Sequence, residues 1–315
     1  MDPDTFAETA QALIENISEV VQGKQDVIRM MVLCVLAEGH LLLEDVPGVG
    51  KTSLAKALAQ SIEGTWGRVQ FTPDLLPADV VGVTVWNRND GTFSFRRGPV
   101  FANIVLGDEI NRASPKTQSA LLEAMEERQV TVDGVTYPLA SPFLVIATQN
   151  PVEHEGTFPL PESQLDRFLM RLSVGYPTPD AELEILETHG RNDKLSQLKP
   201  VTSAESVAMM IDFVTRIHVA PSIRQYLVDI ALATRNSATI SLGMSPRATL
   251  NLQRAARAQA ALCGRDYVIP DDIKHVVLSV LGHRMLLTPD AQLSGHSPAA
   301  VITQVVESIP VPTSR

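Results

Sequence analysis

A lysine and a threonine close a glycine-bearing loop at Gly48-Val49-Gly50-Lys51-Thr52, a set of groups suited to holding phosphates. Glycines allow positive backbone dihedrals, which let successive N–H groups converge on phosphate oxygens. An ammonium at Lys51 can then reach the β and γ phosphates, and a hydroxyl at Thr52 can hold Mg²⁺. The candidate nucleotide contacts are Pro47, Gly48, Val49, Gly50, Lys51, Thr52 and Ser53. The usual pattern, G-x-x-x-x-G-K-[ST], is met except at its first glycine, where Asp45 stands. Aspartate tolerates turn and left-handed conformations better than most residues, and Pro47-Gly48 supplies turn chemistry, so the loop can still form.

Further along, the apolar run Val100 to Leu106 delivers two carboxylates, Asp108 and Glu109. Ligands of a parallel α/β sheet gather at the carboxyl ends of its strands, so this pair is expected in the same crevice as the loop. Asp108 is the candidate second Mg²⁺ ligand beside Thr52, and Glu109 the candidate general base for an attacking water. Asn150 follows a third apolar run, FLVIA, and is placed to orient that water or to touch the γ phosphate.

These residues need strands to carry them. The pattern predicts strands at His40 to Glu44, about Arg68 to Phe71, Val100 to Leu106, Phe143 to Ala147 and Phe168 to Val174. From Lys51 onward Ala55, Leu58, Ala59 and Ile62 recur at helical spacing. The fold class expected is α/β: a doubly wound, mostly parallel five-stranded sheet built around the phosphate loop, with β-hairpin insertions and a following α-helical lid domain. Pro177 and Pro179 mark the division, giving a nucleotide-binding domain over 1–176 and a lid over 177–315. Lid helices are expected at Ser203 to Val214, Ser222 to Asn236, Pro246 to Leu262 and Pro270 to Leu281. A first helix, capped by Asp4 or Thr5, carries Ala10, Leu13, Ile14 and Ile17.

The 315 residues are 44% apolar and 20% charged, which suits a folded globular chain and excludes a disordered one. A formal charge of −10 disfavours a broad surface for nucleic acid or anionic membrane. The longest apolar run, Met30 to Ala37, is far short of the roughly 20 residues that span a bilayer, so no membrane insertion is expected. The first residues are acidic where a secretory signal would be basic. Cys34 and Cys263 lie in apolar helical surroundings and are read as buried, reduced thiols, which suits a cytoplasmic protein.

The series LLLEDVPGVGKTSLAKALA, FANIVLGDEINRASPKTQSALLEAMEE, VIATQNPVEHEGTFPLPESQLDRF and GMSPRATLNL resembles the MoxR-type ATPases of the AAA+ class over nearly the whole chain. The resemblance implies ATP and Mg²⁺ as ligands, Lys51 and Thr52 as the first nucleotide motif, Asp108 and Glu109 as the second, and Asn150 as the polar sensor. It further implies that Arg167, in LDRF, is a finger supplied to the neighbouring subunit's nucleotide, and that Arg247, in SPR, is the sensor that begins a lid helix. Whether Arg247 serves its own subunit or its neighbour stays open. A homo-oligomeric ring, expected to be a hexamer, follows from the resemblance, as do client proteins bearing von Willebrand factor A domains and a chaperone-like role in cofactor or metal insertion. The Val20 to Gln25 segment is implied to pack near the adenine.

Two insertions read as hairpins, Val80 to Arg97 around Asn89-Asp90-Gly91 and Gln129 to Tyr137 around Asp133-Gly134. The resemblance implies that they project from the ring. Arg88, Arg96, Arg97 and Arg128 with Trp86, Phe93 and Phe95 make only a thin nucleic-acid surface, and strand-core packing is the simpler expectation for the aromatics. Two competitors remain: a nucleic-acid motor related to minichromosome maintenance helicases, and a nucleotide-dependent scaffold that does not hydrolyse.

Overall fold

The computed structural model describes residues 1–88, 91–151, 156–188 and 194–312. Its centre is a five-stranded sheet of β1 (Leu41–Glu44), β2 (Trp66–Gln70), β3 (Ile104–Asp108), β4 (Leu144–Gln149) and β5 (Met170–Leu172), in the order β5-β1-β4-β3-β2. Every neighbouring pair is parallel. Leu41 of β1 stands between Met170 of β5 and Ile146 of β4, and Gly107 of β3 stands beside Ala147 of β4.

Parallel sheets are covered on both faces, so their strands read as continuous apolar runs. Alternate residues then divide between two cores. Leu41, Leu43, Leu106, Ile146 and Met170 face one core, while Leu42, Val105, Val145 and Ala147 face the other. The first core is covered by α1 (Pro3–Ser18), α2 (Gln25–Leu36) and α3 (Lys51–Ser61), and the second by α4 (Pro115–Glu127). The cap of α1 is Asp2 and not the expected Asp4 or Thr5, because Pro3 starts the helix; its Oδ1 accepts from the Thr5 N–H at 2.9 Å. Ile62, expected on α3, lies just beyond it in an extended pair with Thr202.

The chain after Thr202 is mainly helical: α5 (Ala204–Thr215), α6 (Pro221–Asn236), α7 (Pro246–Leu262), α8 (Pro270–Leu281) and α9 (Pro298–Glu307). Ser203, Ser245 and Ser297 cap α5, α7 and α9 through their hydroxyls. The core beneath α1 to α3 continues into these helices without a break. Cys34 is buried on α2, and desolvation pushes its thiol up to about 12. Cys263, expected to be buried, is exposed: α7 stops at Leu262, and Cys263 is its cap before Gly264 turns the chain at a φ of 70°. Among the described residues no helix is long and apolar enough to cross a membrane.

Gly82–Asn87 pairs with Thr92–Arg97, and Gln129–Val132 with Val135–Pro138, forming the two hairpins. Asn89 and Asp90, part of the expected first turn, lie outside the described residues. Asp133 and Gly134 both have positive φ, the conformation a tight two-residue hairpin turn requires. The aromatics depart from expectation. Trp86 and Phe93 are 49% and 71% exposed and pack on one another at 4.8 Å, away from the core. Phe95 instead crosses to the second hairpin and stacks on Tyr137 at 4.3 Å. Arg128 pairs with Glu38, and Arg97 lies over the Phe101 ring.

Candidate functional site

Glu44 ends β1, and the chain passes through the loop directly into α3. Gly48 and Gly50 have φ of 84° and 90°, where a side chain is strained. A β-carbon at either would meet no atom within 4 Å, so the requirement there is one of dihedral angle and not of crowding. Gly50 heads α3, whose first N–H groups have no partner within the helix and carry its positive dipole end. The Lys51 ammonium donates to the carbonyl oxygens of Asp45, of Val46 at 3.1 Å and of Gln149 at 3.4 Å.

Asp45 is built into the loop's surroundings. Its Oδ2 accepts from the Ser173 hydroxyl and the Gly175 N–H, each at 2.6 Å, and its Oδ1 accepts from the Val46 N–H at 2.8 Å. Partial burial pushes its pKa up, but the bonds from Ser173, Gly175 and Val46, with the Lys51 charge, outweigh burial and hold it below the ordinary value.

Asp108 ends β3 and is buried. Its Oδ1 accepts from the Thr52 hydroxyl at 3.0 Å and from the Thr148 hydroxyl at 3.4 Å, while Oδ2 pairs with Arg68 Nε at 3.0 Å. Mg²⁺ takes hard oxygen donors, commonly one or two carboxylates completed by water and substrate phosphates. Thr52 and Asp108 fit that requirement, with Oδ1 as the oxygen nearest the loop.

Glu109 has a φ of 59°, a left-handed conformation uncommon outside glycine. Its N–H donates to the Thr148 hydroxyl at 2.9 Å, and its carboxylate is held by Gln70 at 3.1 Å and Arg112 at 3.3 Å. Adjacent strand residues point to opposite faces, and the left-handed turn is the local departure from that alternation. Asn150 follows β4 directly, is buried, and its carbonyl accepts from Asn111 Nδ2 at 3.1 Å. A cavity of about 660 Å³ opens beside the loop, between sheet and lid, with Asp26, Met30, Asp45, Arg171, Leu278 and Gly282 in its wall. Of the segment expected near the adenine, Lys24 donates to the Tyr176 carbonyl at 2.6 Å, and the cavity wall begins at Asp26.

The arginines lie elsewhere. Lys51 follows the carboxyl end of β1, whereas Arg167 precedes the parallel β5 and so sits at the amino end of the sheet. Arg167 Nε pairs with Glu126 Oε2 at 2.9 Å, and Arg247 NH1 pairs with Glu126 Oε1 at 2.8 Å. The fold therefore brings together the loop, Thr52 and Asp108, and separately brings together Arg167 and Arg247. Glu126 reaches Arg167 from the last turn of α4. Sequence reasoning also missed Arg68 and Thr148 at Asp108 and the ties of Asp45, all of which come from other strands or their ends.

Comparison with known proteins places this geometry among relatives. Residues 40–170 match the ATPase family associated with various cellular activities (AAA), and residues 232–305 match the AAA lid domain. The chain is 49% identical over 302 residues to the uncharacterized protein YeaC of Bacillus subtilis, covering 96% of this chain and 94% of that one. It is 42% identical over 313 residues to Chaperone MoxR1 of Mycobacterium tuberculosis, covering 96% and 82%. A solved structure from Cytophaga hutchinsonii, of a protein assigned as an ATPase, superposes with a TM-score of 0.91 at 37% identity, over 99% of this chain and 97% of that one.

Proposed function

Because this chain belongs to the MoxR-type ATPases of the AAA+ class, we propose that it hydrolyses ATP with Mg²⁺ in a ring of six copies and uses the cycle to remodel or mature client proteins. The observation that carries the reading is the 3.0 Å hydrogen bond from the Thr52 hydroxyl to Asp108, since it joins the two nucleotide motifs at one point. Pro47 to Ser53 and Lys51 hold the phosphates, and Thr52 with Asp108 hold the metal. Mg²⁺, when bound, neutralises charge on the phosphate oxygens. Glu109 takes a proton from the water that attacks the γ phosphorus as the bond to ADP breaks, and Asn150 orients that water. Arg167 and Arg247 act together on the nucleotide of the adjacent copy, which their shared place at the far end of the sheet supports.

The division between nucleotide domain and lid is placed at 176/177. Clients are proteins with von Willebrand factor A domains, and the work done on them is cofactor or metal insertion in the cytoplasm. A relative named as a chaperone supports the general role, and free thiols at Cys34 and Cys263 support a reducing compartment. Glu109→Gln tests the reading. It is expected to bind ATP normally, to lose turnover, and to retain client proteins that can be identified after affinity purification with ATP; near-normal hydrolysis would show that another base acts.

A further inference from the structure

Arg284 carries its charge into the interior: its side chain is only 3% exposed. It lies just beyond α8, and its guanidinium wraps the turn that leads into β5. Nε pairs with Asp166 Oδ1 at 2.6 Å, NH2 donates to the carbonyls of Asp166 at 3.1 Å and of Phe168, and NH1 donates to the carbonyl of Leu169 at 3.0 Å. These acceptors flank Arg167 on both sides. The Arg167 side chain itself points away, to Glu126.

A buried cation costs desolvation, and an apolar side chain of similar volume is often as good for stability. What a guanidinium offers here is a planar fork of donors that fixes several backbone oxygens at once. The neighbouring Gly282 carbonyl accepts from Arg171 NH2 at 3.0 Å, and Arg171 NH1 pairs with Glu44 at 2.7 Å. The end of α8 is thereby joined both to the strand that leads into the phosphate loop and to the turn that carries Arg167. Leu278 and Gly282 also stand in the wall of the cavity beside the loop.

We propose that Arg284 is a positioning residue for Arg167: it holds the finger's backbone in register with the lid, so that the lid of one subunit sets the arginine offered to the next. This rests on reading Arg167 as a finger that acts across the subunit interface.

The test is Arg284→Lys, which keeps the buried charge but not the fork, with Arg284→Met beside it. Folding is checked by melting temperature and assembly by sedimentation. Folded, assembled Arg284→Lys is expected to lose about 10- to 100-fold in kcat, the scale for a misplaced catalytic group, with KM for ATP changed less than about twofold. Mixed with Lys51→Ala subunits, which carry an intact Arg284, it should recover part of its turnover. A residue that merely stabilised its own subunit would give no such recovery. Normal kcat in the folded variants, or no recovery where Arg167→Ala does recover, overturns the proposal. Should both Arg284 variants fail to fold, Asp166→Asn removes the carboxylate paired with the guanidinium and carries the same expectation and the same reversal. If Arg167→Ala itself turns over normally, the finger reading fails, and this proposal fails with it.

Discussion

Asp45 accepts a 2.6 Å hydrogen bond from the Ser173 hydroxyl, so the residue at the first glycine position ties the phosphate loop to the chain just beyond β5. Glycine there would keep the turn and lose the tie. Asp45→Gly is expected to bind ATP within a few-fold of the parent while losing about 1 to 2 kcal/mol of stability, the scale for a charge-assisted hydrogen bond that is partly solvated. Because the Asp45 pKa is lowered, the tie is present at neutral pH and is lost only as pH falls through its folded value. Urea unfolding beside nucleotide titration checks both halves. A variant that keeps full stability would leave Asp45 as a tolerated substitution and nothing more.

Lys51→Ala should abolish nucleotide binding, because no other cation is seated on the loop carbonyls of Asp45 and Val46 among the described residues. Calorimetric titration with ATP and Mg²⁺ reads the result. Undiminished affinity would remove the phosphate-loop assignment.

The sheet was legible because Leu41 to Leu43, Val105 and Ile146 form apolar runs that end in residues able to do chemistry, and parallel strands buried on both faces leave that signature. Helix limits at Pro246 and Pro270 were legible for an equally local reason, proline at the first helical position. What escaped were the partners that distant segments contribute outside the two nucleotide motifs. Arg284 and Asp166 are 118 residues apart, and nothing in the spacing of either announces the other. Arg68 sits in a strand of mixed polarity and meets Asp108 only because β2 pairs with β3. The exposed Trp86 and Phe93 escaped because alternation shows that two faces exist, and not whether a core covers one of them.

Arg247 shares Glu126 with Arg167, and this geometry turns an open alternative into a measurable one. Both arginine–glutamate pairs are partly exposed, so each should be worth less than about 1 kcal/mol of stability. Turnover is another matter, since an arginine on the transferring phosphate is worth roughly 10³ to 10⁵ in rate. Arg247→Ala is therefore expected to melt near the parent and to hydrolyse far more slowly. Mixed with Lys51→Ala subunits it should recover part of its activity, as Arg167→Ala should. Recovery for Arg167→Ala alone would place Arg247 in its own subunit's site.

His40 gives the fold a pH dependence whose sign can be worked out. Its Nδ1 accepts the Val145 N–H at 3.0 Å, so the ring proton sits on Nε2 and is donated to the Met125 carbonyl at 3.1 Å. A second proton would set a donor against a donor in a buried site. Burial pushes the pKa down to about 4, and burial beside Arg284 pushes His283 down as well. In the unfolded chain both return to roughly 6.5, so below that pH the unfolded state binds more protons than the folded one. Stability is therefore complete above about pH 6.5 and falls as the pH drops toward 4, by up to about 1.4 kcal/mol per pH unit for His40, with His283 acting in the same direction. Between pH 6.5 and 5 His40 alone should remove about 2 kcal/mol, readable as a shift in urea midpoint. His40→Asn, which keeps an acceptor near the Nδ1 position, is expected to be less stable at neutral pH but to show a shallower slope. If the slope is unchanged, other groups drive the acid dependence, and the neutral pairing of His40 is not its source.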